Sequence, residues 1–355
     1  MNVLANYILR TVLAYTGLVT LVLSALGALF LFIGQQDDIG VGSYTASQAM
    51  LFVALNLPQY LVQLLPVAAL IGALLGLGNL ARGSELVVMR ASGVTTLQFC
   101  RWLGVAGVLL ALLMLVVGEF VAPPLGKYAR QMKVFNKFNE FSFAGSGGAW
   151  VRDGDTIISV EQQSGSARFG GVQVYRFGSG RRLESVGRAE SASVGQDNLW
   201  QLRDFAETTF ANGGTTAGRR ASQEVQTTLA PEFLGLAVAE PDAMGLRELL
   251  AYAQHLRGND LDATRFDIAF WSRVARFVAL SLVVILALPF ALGPMRSSGQ
   301  GARTVIGILI GAAFMMLSQM LESGGQLFAL PPWVVGWAPT IVLAGLTGTL
   351  LWRTR

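Results

Sequence analysis

The sequence predicts an α-helical membrane protein with an inserted β domain: six transmembrane helices, three on each side of a β-jelly-roll-like unit. Three observations carry this. Charged residues make up only 14% of the 355 positions against roughly a quarter in soluble chains, and long uncharged runs account for the deficit. Those runs are numerous enough for six spans of about 20 residues each. The charges that remain concentrate in one interior segment, 123–266, with 16 Lys/Arg and 16 Asp/Glu. A single soluble enzyme is excluded. One Cys and one His exclude a disulfide scaffold, a zinc site of the usual ligand count and a Cys/His redox centre. The basic pI near 9.5 is no nucleic-acid signal, because the interior segment is neutral and the excess cations flank the apolar runs.

The first span falls near Val12–Ile33, between Arg10 and Asp37. It is too long for a signal peptide and lacks a small-residue cleavage pattern. The uncharged interval from Asp38 to Arg82 exceeds one helix, so it reads as an interfacial lead-in from about Ser47 and a span near Leu57–Leu80 carrying Pro58 and Pro66. Further spans lie near Leu103–Val121, Phe277–Leu292, Val305–Leu321 and Val334–Trp352. With the N-terminus inside, Arg10, Arg82, Arg90, Arg101, Arg296, Arg303, Arg353 and Arg355 all fall on the cytoplasmic side, whereas the short opposite loops hold only Asp37 and Asp38. The positive-inside rule therefore places both termini in the cytoplasm and 123–266 outside.

That external segment starts as short strands. Asp153-Gly154 separates Ala149–Arg152 from Thr156–Glu161, a hairpin signal. Val172-Gln173-Val174 alternates, as do Trp200 and Leu202 with Gln201 and Arg203, and Gly178-Ser179-Gly180 and Asn212-Gly213 supply turns. Strands at roughly ten-residue spacing suggest a sandwich or jelly-roll. Leu246, Leu249, Leu250, Ala253 and Leu256 then recur at helical spacing up to Gly258. The organisation is 1–122 for helices one to three, 123–266 for the β domain with connecting helices, and 267–355 for helices four to six.

Catalytic motifs are missing from the sequence. None of Lys127, Lys133 and Lys137 is followed by Ser or Thr, so there is no Walker phosphate loop. Gly76-Leu77-Gly78-Asn79-Leu80-Ala81 matches a dinucleotide fingerprint in letters, but it ends a membrane helix with no βαβ unit around it. The spacings Gly72/Gly76 and Gly307/Gly311 suit close helix packing instead. No G-x-S-x-G elbow occurs, and His255 on the external helix reads as structural.

After span two, Gly83 can break the helix, Ser84 can N-cap a new one, and Gly93 can stop it, giving a short helix at about 84–92 with Leu86, Val87 and Met89 beside Arg90. Glu85 falls in its first turn, where complementing the helix dipole is worth about 0.3–1 kcal/mol. An amphipathic helix between two spans also suits docking onto a separate ATPase. The run Leu65–Gly93, with Leu65-Pro66, Gly72, Gly76, Gly78, Ala81, Ser84-Glu85-Leu86 and Met89-Arg90-Ala91-Ser92-Gly93, strongly resembles the LptF/LptG permease family, the membrane part of the lipopolysaccharide export ABC transporter. So do Gly118-Glu119-Phe120-Val121-Ala122-Pro123, Gly148-Ala149-Trp150-Val151-Arg152-Asp153-Gly154 and Gly293-Pro294-Met295-Arg296. Gly42-Ser43-Tyr44 and Leu229-Ala230-Pro231-Glu232-Phe233-Leu234-Gly235 look more like the LptG branch than the LptF branch.

The resemblance implies an inner-membrane permease paired with an LptF-like partner, an LptB-like ATPase dimer that holds ATP and Mg, an LptC-like bitopic protein and an LptA-like bridge. This chain would bind no cofactor or nucleic acid itself. Lipopolysaccharide would enter through lateral gates formed by spans one and five, and the coupling residues would be Gly83, Ser84, Glu85, Leu86, Met89 and Arg90. An anionic, many-chained lipid needs an apolar cavity ringed by cations. Lys127, Arg130, Lys133 and Lys137 recur on one helical face, and Arg273 and Arg276 enter span four near its outer end. Phe30, Phe32, Phe314, Met315 and Leu317 are candidates for the acyl chains. Some family members present lysines after span one where this chain has Asp37-Asp38, so a divalent-cation bridge is an alternative there. A permease that relays force without carrying lipid is the competing reading. Its large external domain would follow span one, whereas here it follows span three.

Overall fold

The computed structural model describes residues 3–138, 141–142, 149–164, 168–178, 182–194, 199–211, 214–226, 241, 244–292, 300–325 and 330–353. Its elements run α1 (Val3–Ile33), a 3₁₀ turn (Gln36–Asp38), α2 (Ala46–Arg82), α3 (Glu85–Ala91), α4 (Thr96–Val116), a π-helical turn (Val117–Val121) and α5 (Ala122–Phe138). Seven strands follow: β1 (Phe141–Ser142), β2 (Ala149–Asp153), β3 (Thr156–Ser164), β4 (Arg168–Phe177), β5 (Leu183–Val194), β6 (Leu199–Ala211) and β7 (Gly214–Gln226). Four helices follow among the described residues: α6 (Leu246–Gly258), α7 (Thr264–Leu292), α8 (Gln300–Gly324) and α9 (Pro332–Arg353).

Among the described residues, six helices are long and apolar enough to cross a membrane, in the six places the uncharged runs indicate. Their helical bounds are wider, because a helix continues past the hydrocarbon until a cap or turn stops it. The lead-in expected from Ser47 is not a separate element. Thr45 and Gln48 form a reciprocal capping box, and α2 then runs unbroken to Arg82 with Pro58 and Pro66 inside it.

The bundle is organised around α2. An added Cβ at Gly72 would lie 2.4 Å from Thr16 Cα, so only the missing side chain lets α1 approach that closely. On α2 the leucines do the reverse job: Leu70 and Leu74 fill the notches left at Gly311 and Gly307 of α8. Both glycine pairs singled out in the sequence are therefore helix-crossing points. At Gly107, α4 meets α7 with the same intimacy, an added Cβ falling 2.5 Å from Ser281 Cα. Small residues at such crossings matter more in lipid than in water, since burying leucine against leucine gains little over leaving it in acyl chains.

The described strands pair as one antiparallel sheet in the order β3-β4-β5-β6-β7, with β1 and β2 both along the outer edge of β3. The stacking of two sheets expected from a jelly-roll is not among these pairings. Turn spacing encodes how many strands there are and not which of them meet at long range. The alternation holds: Val172, Val174, Trp200 and Leu202 are buried in one cluster with Ile158, Val160 and Phe205, and Gln201 and Arg203 are exposed. Asp153 pairs with Thr156, so the hairpin loop is Gly154-Asp155, one residue beyond the expected dipeptide, with Gly154 at φ +58°. Ser179-Gly180, Asn212-Gly213, Gly148, the segment 229–235 and the segment 293–296 lie outside the described residues.

Helix α6 buries Leu249, Tyr252, Ala253 and Leu256 against the start of α7. Leu250 is exposed instead of joining that face, and Tyr252 takes the inward position. Gly258 does not reverse the chain. The helix runs through it to an Asn259 cap, and Asp260 adopts the left-handed conformation at φ 54°. Asn259 Oδ1 accepts the Gly154 N–H at 2.7 Å, which joins the end of α6 to the β2–β3 hairpin.

Candidate functional site

Two regions carry the chemistry expected of the chain, one at each end of the bundle. At the first, α2 ends and α3 begins in the loop around Gly83. The expected Ser84 cap is not formed. Gly83 keeps a right-handed φ of −71° and prolongs the turn, so the reversal falls on Ser84, at φ 59°. A residue in that conformation does not aim its hydroxyl at the following N–H groups, and Ser84 makes no capping hydrogen bond. Gly93, at φ +93°, stops the helix as expected. Leu86 and Met89 are buried in the bundle core, and Val87, Val88 and Arg90 face outward. Glu85 folds back over Gly83, its Oε1 3.2 Å from where a Cβ on Gly83 would stand. The Glu85 carboxylate faces the Tyr7 hydroxyl of α1. The short helix is therefore anchored by two apolar side chains while presenting a ridge of Val87, Val88 and Arg90.

The second region is the β-domain end, where Lys127, Lys133, Arg273 and Arg276 of the cations predicted from sequence sit opposite carboxylates. Lys133 of α5 pairs with Asp38 of the 3₁₀ turn at 2.6 Å, and its ammonium lies 5.0 Å from the Phe52 ring centroid of α2. Ser43 N–H donates to Asn136 O at 2.8 Å, so the link from α1 to α2 is strapped along α5. Tyr44 is buried beneath it, and burial together with the neighbouring Asp38 charge raises its hydroxyl above the ordinary value of 10.0. Of the acidic pair after span one, Asp38 thus has a partner inside the fold, and Asp37 is exposed. Lys127 pairs with Glu248 of α6, and Arg130 lies between the two lysines along the helix. The Lys137 side chain lies outside the described residues.

Arg273 and Arg276 sit deeper in their helix than the sequence suggested, because α7 begins at Thr264. Arg273 faces Glu119 at 3.7 Å, donates to Met244 O, and reaches Pro241 O at 3.4 Å. Glu119 stands in the π-helical turn, whose extra residue re-aims the side chains around it. Its Oε2 accepts the Leu246 N–H at 2.7 Å, satisfying one of the free donors at the start of α6. Arg276 pairs with Glu322 of α8 at 2.9 Å. The two arginines border a small cleft between α2, α4 and α7, with Gln59, Gln63 and Glu119 among its polar walls. A carboxylate or guanidinium at membrane depth is costly unless paired, and each of these ions has a partner of opposite sign.

The candidates for the acyl chains are placed apart. Phe30 on α1 is strongly exposed and Phe32 half-buried. On α8, Phe314 packs against the bundle core, Met315 is half-buried and Leu317 is exposed. Both helices lean on α2 through their glycine contacts, and they are among the least buried spans, which leaves long apolar faces open to lipid or to another chain. Sequence reasoning passed over Gln59, Gln63 and Glu322, and it quoted Glu119 only as part of a motif. The available signal was an isolated polar residue in an apolar stretch.

Comparison with known proteins adds the following. The family described as lipopolysaccharide export system permease LptF/LptG matches residues 6–353. Lipopolysaccharide export system permease protein LptG of Escherichia coli (strain K12) is 32% identical over 333 residues, covering 93% of this chain and 92% of that protein. The LptG of Haemophilus influenzae is 27% identical over 355 residues, covering 100% and 99% respectively. The LptF of Escherichia coli (strain K12) is 22% identical over 327 residues, covering 88% and 85%.

Proposed function

On the premise that this chain belongs to the lipopolysaccharide export system permease family LptF/LptG, which the match over residues 6–353 shows, we propose how its two ends divide the work. The chain is a permease subunit of lipopolysaccharide transport, more similar to the LptG proteins than to the LptF ones. In our reading it pairs with an LptF-like partner and draws lipopolysaccharide out of the inner membrane toward a periplasmic bridge. Its β domain faces the periplasm beside LptC-like and LptA-like proteins, and both termini are cytoplasmic, a reading that the distribution of Lys and Arg supports. A separate ATPase dimer hydrolyses ATP and engages the α3 ridge. The observation that carries the reading is the full-length match to proteins with this name, joined to six spans that hold a β domain after the third. The force-relay alternative is not favoured.

On the substrate side, Lys127, Arg130, Lys133, Lys137, Arg273 and Arg276 are the cations offered to the phosphates, and Phe30, Phe32, Phe314, Met315 and Leu317 the apolar groups offered to the acyl chains. Native mass spectrometry of the chain, gently extracted with its endogenous partners, tests the whole. One related permease, two ATPase subunits and a releasable lipopolysaccharide mass are expected. ATPases without lipid, even when lipopolysaccharide is supplied, would return the force-relay reading, and the chain alone would overturn both.

Glu85→Ala tests the coupling end separately. It should reduce copurification of the ATPase severalfold while membrane insertion and the thermal unfolding of the permease stay close to those of the parent chain. Unchanged copurification would leave Glu85 with only its local contacts to Tyr7 and the helix start.

A further inference from the structure

We propose that Asp38 and Glu322 are displaceable stand-ins for the phosphates of the transported lipid, each holding one of the two open-faced helices to the bundle until the substrate takes its place. This rests on the transport reading above and names what its cationic groups do at rest.

Four observations converge. Lys133 with Asp38 and Arg276 with Glu322 are both cation–carboxylate pairs at the β-domain end, at 2.6 Å and 2.9 Å. Asp38 sits in the turn that follows α1, and Glu322 lies in the last turns of α8, so each pair ties down the end of a helix whose flank is otherwise open. All four side chains are between 23% and 29% exposed, low enough for the charges to feel each other and open enough for an incoming anion to reach them. Finally, both cations have a second neighbour besides the carboxylate. Lys133 is seated over the Phe52 ring, and Arg276 stands beside the polar wall of Gln59 and Gln63.

The chemistry of exchange follows from charge balance. A lysine or arginine at this depth needs an anion, and a carboxylate and a phosphate monoester are interchangeable in that role, with the phosphate offering more charge and more acceptor oxygens. While the carboxylate occupies the cation, the pair is neutral and the helix end is held. When a lipid phosphate replaces it, the cation remains satisfied, the freed carboxylate turns to water, and the helix end is released. The same exchange discriminates against lipids without phosphate, because they cannot repay the broken pair.

The test uses the full-length chain, coexpressed with its LptF-type partner and ATPase, in nanodiscs. Bisphosphorylated lipid A and its dephosphorylated form are titrated against the parent complex, Asp38→Asn, Glu322→Gln and the double variant. Removing the internal competitor should tighten bisphosphorylated lipid A by about two- to fivefold per substitution, the size of a partly exposed ion pair, and leave the dephosphorylated form unchanged. Spin labels on the turn after α1 and on α5 should separate on addition of bisphosphorylated lipid A in the parent and start apart in Asp38→Asn. Equal or weaker binding by both single variants, with the parent binding normally, would overturn the exchange proposal alone. Equal tightening of both lipids would also overturn it, since the gain would then be independent of phosphate. Separation of the labels on addition of inorganic phosphate alone would replace the lipid headgroup with a free anion as the ligand. Failure of the parent to bind either lipid would overturn the transport reading and the exchange with it.

Discussion

Truncating Arg273 to alanine should destabilise the solubilised chain by about 3–5 kcal/mol, the range seen when one partner of a buried ion pair is removed. Arg273 and Glu119 are 14% and 13% exposed, so water cannot replace what is lost. Three groups lose a donor or a counter-charge together: the Glu119 carboxylate, Met244 O and Pro241 O. Those carbonyls lie at the entry to α6, whose first N–H is held by the same Glu119. The damage should therefore reach α6 and its link to the β2–β3 hairpin through Asn259. Arg273→Lys should recover only part of the loss, because an ammonium cannot serve two carbonyls and a carboxylate through one planar fork. Glu119→Gln keeps an oxygen acceptor for Leu246 but removes the charge. Placed on top of Arg273→Ala it should be less damaging than the sum of the two single changes. Chemical unfolding followed by tryptophan fluorescence reads all four variants, and strict additivity would show that the two side chains do not act as a pair.

Gly72→Leu is expected to be comparably severe, by a different mechanism. A Cβ there meets Thr16 at its Cα, and backbone cannot step aside as a side-chain tip can. Overpacking in a soluble core costs about 1–3 kcal/mol. At a helix crossing the whole of α1 must move off α2, so the upper end of that range or beyond is expected. Gly17, the residue after Thr16 on α1 but facing open space with nothing within 4 Å of its Cβ position, is the matched control. Gly17→Leu should change thermal stability by no more than about 0.5 kcal/mol. Cysteine cross-linking between α1 and α2 reports the separation directly. Equal tolerance of Leu at positions 17 and 72 would mean that α1 does not rest on α2 where the fold places it.

The sequence by itself determined those features whose free energy is local. Hydrophobic transfer of about 20 residues at a time decides where a span lies, and all six spans stand where the uncharged runs are. Period-two alternation and a Gly at a tight turn decide the β2–β3 hairpin and the buried faces of β4 and β6, whatever the sheet later does with them. The short helix after α2 was legible for the same reason, in its length, its buried Leu86 and Met89 and its stop at Gly93. Tertiary structure decided the rest. Whether Gly83 or Ser84 took the left-handed turn depended on how Leu86 and Met89 reached the core, and the single-sheet order depended on which edges met. Above all, the cations on α5 and α7 were visible one by one, but their carboxylates come from Asp38, Glu119, Glu248 and Glu322, far away along the chain. A charge in an apolar bundle must find an opposite charge. Sequence shows that the need exists, and only the packing of the helices selects the partner that meets it.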